Sequence, residues 1–251
     1  MVIPLRDANP TRRLPVVTLI LIALNFIFFL REPLRADECR QRAFFMRYAA
    51  IPHEVTTGKP LPRVFQDVAG VPTPSGNLLC QVGSPAYHKN VYLSVLFAMF
   101  LHAGWLHLLG NMLYLWIFGN NIEDSLGRAK FLLLYLVCGA LATLVFAAGF
   151  GNSTETMVGA SGAIAGVLAA YLVLFPRARI LCLVPIFFFF IAELPAWVVL
   201  GLWFALQAVS SAGSLHGGGV AYLAHVGGFV AGLLLVLLLR PRRPRPIEPW
   251  A

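Results

Sequence analysis

Charge is what this chain has least of. Only 12% of its 251 residues are Asp, Glu, Lys or Arg, whereas 59% are hydrophobic. A soluble globular domain is about one quarter charged. Composition alone therefore excludes an ordinary soluble enzyme and points to a protein that crosses a membrane several times. Almost no charged residue falls deep inside an apolar run, which argues against a channel or transporter, since those carry charge in their spans. Cysteine is nearly absent too. Cys39, Cys80, Cys138 and Cys182 have no close spacing, so no metal site and no cofactor is expected. The first apolar run is not expected to be a cleaved leader: it is long, and no small-x-small site follows it before "REPLRADECR".

The charge that exists is mostly basic, 19 Lys and Arg against eleven Asp and Glu. Its placement excludes nucleic acid as a partner. Arg6, Arg12 and Arg13 precede the first apolar run, Arg177 and Arg179 separate two later runs, and Arg240, Arg242, Arg243 and Arg245 follow the last. Basic residues flanking apolar spans orient a protein in a lipid bilayer, with the basic side inward.

Six apolar runs stand at 14–30, within 97–119, at 129–150, at 158–175, within 183–209 and at 219–239. A helical span takes about 20 residues. The expected fold is thus an all-α bundle of six transmembrane helices over 14–240. It is preceded by a cytoplasmic segment 1–13 and followed by a Pro/Arg-rich tail 241–251. Residues 180–192 read as a surface loop or interfacial segment, with "FFFF" at 187–190 as an anchor and the fifth span starting near Pro195. The connections 150–157 and 210–218 carry no Lys or Arg, so they face outward, as does the long loop 31–96. In an oxidising exterior, Cys39 and Cys80 of that loop are the pair that could bridge.

Polar groups in lipid are costly, so each one inside a run is a functional candidate. The second run holds His107 and Asn111, the fourth opens on Ser161 in "MVGASGAIAG", and the sixth holds His225. All three runs travel inward from an external loop, which brings the four residues to similar depth. A serine hydroxyl becomes nucleophilic when a base such as a neutral imidazole takes its proton. Ser161 and His225 are therefore the candidate catalytic pair. None of the eleven acids lies at the right depth, so a dyad without an acid is expected. His107 and Asn111, four apart, share one helix face and suit a developing oxyanion. Singly, each residue reads as packing or capping material; together, in complementary roles, they read as chemistry. His102, at the membrane edge, reads as structural.

Glycine spacing supports contact between the fourth and sixth helices. Gly162 and Gly166 form one small-xxx-small pair, and Gly228 and Gly232 form another. A protein that acts on helices in lipid must admit them sideways. The proline-broken start of the fifth span, "ELPAWVVLGLWF", makes Trp197 and Phe204, about two turns apart, the candidate gate.

The motifs "HAGWLHLLGNM" at 102–112, "GASG" at 159–162 and "AHVGGFVAG" at 224–232 resemble the rhomboid intramembrane serine proteases. The resemblance covers the first run and about 90–240. It implies a six-helix rhomboid-like bundle in which Ser161 is nucleophile, His225 is general base, and His107 and Asn111 assist the oxyanion. It also implies single-pass transmembrane proteins as substrates, cleaved near their outer ends. Leu93 and Ser94 stand where some members carry Trp-Arg, and Ala165 stands where some carry a tyrosine against the histidine. Both departures bear on how the first loop is braced and how His225 is oriented. A catalytically silent relative that binds and routes helices is the alternative reading. Such relatives typically lose the serine or the histidine, and this chain keeps both.

Overall fold

The computed structural model describes residues 3–73, 77–185, 189–213 and 221–239. The arginine-rich tail, most of the 210–218 connection, and Phe187 and Phe188 lie outside the described residues. The protein is mostly helical. Along the chain run α1 (Val16–Leu30), α2 (Glu38–Tyr48), α3 (Pro52–Thr57), α4 (Val91–Ala98), α5 (Trp105–Tyr114), α6 (Asn120–Leu126), α7 (Arg128–Gly149), α8 (Ser161–Leu174), α9 (Ala196–Gly213) and α10 (Tyr222–Leu239). Strands are few: β1 (Ile3–Asp7), β2 (Val64–Phe65), β3 (Val71–Pro72), β4 (Leu78–Leu79), β5 (Val82–Gly83), β6 (Arg179–Pro185) and β7 (Phe189–Pro195).

α7 and α10 are long and apolar enough to cross a membrane, whereas α1, α8 and α9 are apolar but shorter. The second apolar run is divided. α5 passes through a π-helical turn, Leu115–Gly119, into α6.

α8 forms the centre, and every residue from Gly162 to Tyr171 is buried. It can sit there because most of its first ten residues are Gly, Ala or Ser, which let other helices come close. α10 lies against it backbone to backbone. A Cβ on Gly228 would strike the Gly162 carbonyl oxygen, and one on Gly232 would strike that of Gly166. The four glycines thus line one contact.

Most of the segment expected as a surface loop or interfacial stretch, 180–192, lies in two paired strands, so it is extended chain and not an irregular loop. β6 pairs antiparallel with β7 and with β1, in the order β1-β6-β7. Ile180, Cys182 and Val184 point into the protein while their neighbours alternate outward, a two-residue period that a uniformly apolar run conceals. Residues 3–7 supply the third strand, which no local signal near 180 announces.

Two acids, Glu123 and Asp7, tie one end of the bundle together. Glu123 accepts the backbone N–H groups of Val17 and Thr18 and the Thr18 hydroxyl, at 2.8–2.9 Å. This caps α1 from a distance, since Pro15 offers no side-chain cap. Asp7 Oδ2 accepts both the Tyr171 hydroxyl and Asn121 Nδ2, at 2.8 and 2.7 Å.

The long loop has its own small core around Ile51, Leu61 and Val64. Asp37 caps α2, and a disulfide joins Cys39 to Cys80, with Cα atoms 5.3 Å apart. Lys89 and Glu54 form a buried ion pair at 2.6 Å. Lys89 also donates to the Met46 carbonyl and Glu54 accepts from Leu61 N–H, the added partners that a buried charge pair requires.

Candidate active site

Ser161 opens α8 but does not cap it, because the helix has no side-chain cap bond. Its hydroxyl goes elsewhere: Ser161 Oγ lies 2.8 Å from His225 Nε2. His225 stands in the first turn of α10 and reaches α8 because the glycine contact draws the helices together. Its other ring nitrogen, Nδ1, lies 2.7 Å from Gln207 Oε1 on α9. An amide oxygen can only accept, so Nδ1 carries the ring proton and Nε2 presents its lone pair to the serine O–H. Serine, imidazole and amide thus form a chain from three helices, with the proton direction fixed from the far end.

Gln207 is the participant that sequence reasoning missed. The group at His225 Nδ1 is an amide, where a dyad without a third partner was expected. The signal was present: Gln207 is the sole amide in "AWVVLGLWFALQAV", and it is 7% exposed. Trp203, one turn earlier on α9, places its ring 6.0 Å from that of His225, tilted 35°. Tyr222 approaches edge-on at 6.4 Å. These contacts from α9 and α10 surround the imidazole where the tyrosine of the family pattern is replaced by Ala165.

His107 and Asn111 face the turn before Ser161. Gly159 there has φ +120°, a conformation open to glycine, and a Cβ at that position would lie 2.7 Å from His107 Nε2 and 3.7 Å from Asn111 Nδ2. Glycine is required twice over, for its backbone and for the room. Asn111 Nδ2 is buried without a partner among the described residues, a donor held in reserve. Ala103 N–H points at His107 Nδ1 at 3.5 Å, a long contact that favours the proton on Nε2, the nitrogen facing the turn. A cavity of about 30 Å³ lined by Ser161, Gly159, Met157 and Ala224 has room for one water.

The approach to α5 is braced by Glu32, whose Oε1 accepts the His102 N–H at 2.9 Å. Burial pushes the Glu32 carboxyl up to about 7. His102 is buried and packs edge-on against His107, with rings 5.0 Å apart.

The two candidate gate residues stand in different places. Phe204 stacks on Phe229 at 4.3 Å, in the seam between α9 and α10. Trp197 is 59% exposed at the start of α9. Among the described residues no group of His, Cys, Asp and Glu could hold a metal ion.

Fold and site together describe a mostly helical membrane protein with a partly buried serine–histidine pair between two helices. Residues 89–242, which contain His107, Asn111, Ser161, Gln207 and His225, match the rhomboid domain, and the chain belongs to the rhomboid family. It is similar to the mitochondrial rhomboid protein 1 of Saccharomyces cerevisiae, 35% identical over 150 residues, 57% of this chain and 40% of that protein. The mitochondrial presenilin-associated rhomboid-like protein A of Danio rerio is 32% identical over 166 residues, 62% of this chain and 41% of that protein. RHOMBOID-like protein 1 of Arabidopsis thaliana is 34% identical over 161 residues, 63% of this chain and 38% of that protein. The aligned part thus spans well under half the length of each of these relatives.

Proposed function

We propose that this protein is an intramembrane serine endopeptidase that hydrolyses peptide bonds in or near the transmembrane segments of other membrane proteins. The 2.8 Å approach of Ser161 Oγ to an unprotonated His225 Nε2 carries the reading. Ser161 Oγ attacks the scissile carbonyl carbon while His225 Nε2 takes its proton. His107 Nε2–H and Asn111 Nδ2–H donate to the oxyanion of the tetrahedral intermediate. The C–N bond breaks as the imidazolium returns its proton to the leaving amine. Water, deprotonated by the same imidazole, then releases the acyl group from Ser161.

The proposal includes six spans over 14–240, both termini cytoplasmic in the cell's inner membrane, and the loop 31–96 outside. The distribution of arginines supports it. So does the length of α8. Its 14 residues rise about 21 Å, short of a hydrocarbon core of about 30 Å, which supports a Ser161 that lies below the outer surface and is reached by water from that side. Single-pass transmembrane proteins in the bilayer are the expected substrates.

The test is a fluorophosphonate probe and a panel of single-pass helices, with purified protein in lipid. Wild type should be labelled and should cleave, and Ser161→Ala, which folds because alanine fits beside Ala160 and Gly162, should do neither. Cleavage by pure Ser161→Ala would overturn the reading and leave the helix-binding alternative in its place.

A further inference from the structure

We infer that Gln207 is a positioning residue for the serine–histidine pair, and that it makes the pair's competence depend on α9 being seated against α10. The inference rests on the reading above.

A lone imidazole on a helix has two freedoms that spoil it as a base. It can rotate about its side-chain torsions, and it can shift its proton to Nε2, where it would no longer accept from serine. One acceptor at Nδ1 removes both. Soluble serine enzymes use a carboxylate there. In a site walled by apolar helices a carboxylate would be a buried charge, with a desolvation cost that needs further partners. An amide oxygen gives the same direction to the proton at no charge. Gln207 meets the geometry, 2.7 Å from Nδ1 and buried. Among the described residues, the groups facing the imidazole that can titrate are Ser161 on α8, His107 on α5 and Tyr222 on α10 itself.

The element that carries Gln207 matters as much as its atoms. Ser161 and His225 sit on helices locked by backbone contact, whereas α9 meets α10 through side chains. Trp203, Phe204 and Gln207 occupy one face of α9 and meet His225 and Phe229. The opposite face, with Leu202, Leu206 and Val209, is exposed. Any outward swing of α9 separates Oε1 from Nδ1 before it disturbs the 2.8 Å pair. A site entered beside α9 is therefore disarmed while open and armed when α9 returns over the substrate.

The experiment compares wild type, Gln207→Ala, Gln207→Glu and Phe204→Ala, as full chains in lipid. It follows fluorophosphonate labelling of Ser161 and cleavage of a single-pass helix across pH, with thermal unfolding as the check on folding. Gln207→Ala should lose about tenfold to a hundredfold in kcat, with KM unchanged, as removal of an orienting partner from a general base requires. Gln207→Glu, nearly isosteric, should keep activity but move the acid limb of the rate profile to higher pH, because a carboxylate favours the protonated ring. Phe204→Ala should slow labelling although it touches none of the three bonded residues. Wild-type rates in Gln207→Ala, or an unmoved acid limb in Gln207→Glu, would overturn the inference while leaving the serine mechanism intact. If Gln207→Ala does not fold, the Gln207→Glu profile decides alone. Wild-type labelling in Phe204→Ala would overturn the dependence on α9. A wild-type protein that neither labels nor cleaves would overturn the inference and the parent reading together.

Discussion

Tyr171 donates a hydrogen bond to Asp7 at 2.8 Å across 164 residues of chain, so the last full turn of α8 is tied to the N-terminal strand. Burial pushes the Asp7 carboxyl up to about 6, from an ordinary 3.8. The unfolded chain therefore loses this proton first. Stability falls as pH rises from about 4, and the loss is complete above about 6. Asp7→Asn keeps an oxygen for both Tyr171 and Asn121 and cannot ionise. Its melting temperature in detergent should match wild type near pH 4 and exceed it by a few degrees at pH 7. A difference that does not grow with pH would show that Asp7 is not the group responsible.

His107 and Asn111 should each matter to turnover rather than to binding. Removing one oxyanion donor typically costs about a hundred- to a thousandfold in rate. We expect His107→Ala and Asn111→Ala to fall in that range with KM little changed, in steady-state cleavage of a single-pass helix. Full activity in both would reduce α5 to a packing element.

Trp197 and Phe204 should behave in opposite ways. Trp197 is exposed at the start of α9, so Trp197→Ala should ease the entry of a helical substrate and raise its cleavage rate. Phe204 holds the seam, so Phe204→Ala should slow it. Equal effects of the two changes, at equal melting temperature, would place the entry elsewhere.

The disulfide makes a countable prediction. Protein from its native compartment, denatured without reductant, should show two free thiols, Cys138 and Cys182. Cys39→Ser opens a link spanning 41 residues, worth about 4 kcal/mol on a chain-entropy estimate, and should make the long loop sensitive to protease. Four thiols would exclude the bridge.

Much of this was legible in sequence because lipid punishes polarity. In runs of Leu, Val and Phe, each Ser, His and Asn stands out, and helix direction then matches their depth. The same rule should have flagged Gln207. It escaped because the partner sought for His225 was an acid, whereas a low-dielectric site favours a neutral amide. The hairpin at 179–195 was hidden for another reason. Its residues are apolar on both faces, so the period of two carries little contrast, and its third strand comes from residues 3–7. Glu32 under His102 and Asp7 under Tyr171 are long-range pairs. Their single-residue signal is a charge beside an apolar run, which the flank of any span also gives.

The glycine contact between α8 and α10 leaves the distance between Ser161 and His225 with a one-sided tolerance. At Gly228 and Gly232 the backbones already touch, so no substitution at either position can bring the helices nearer, and every substitution pushes them apart. Overfilling a packed contact typically costs about 1–3 kcal/mol, but here the first ångström of separation is also taken from a 2.8 Å hydrogen bond. On the proposed mechanism, drift at these sites slows the reaction and cannot quicken it. A variant with a faster pair must be sought on α9, where side chains leave distances free to change in both directions.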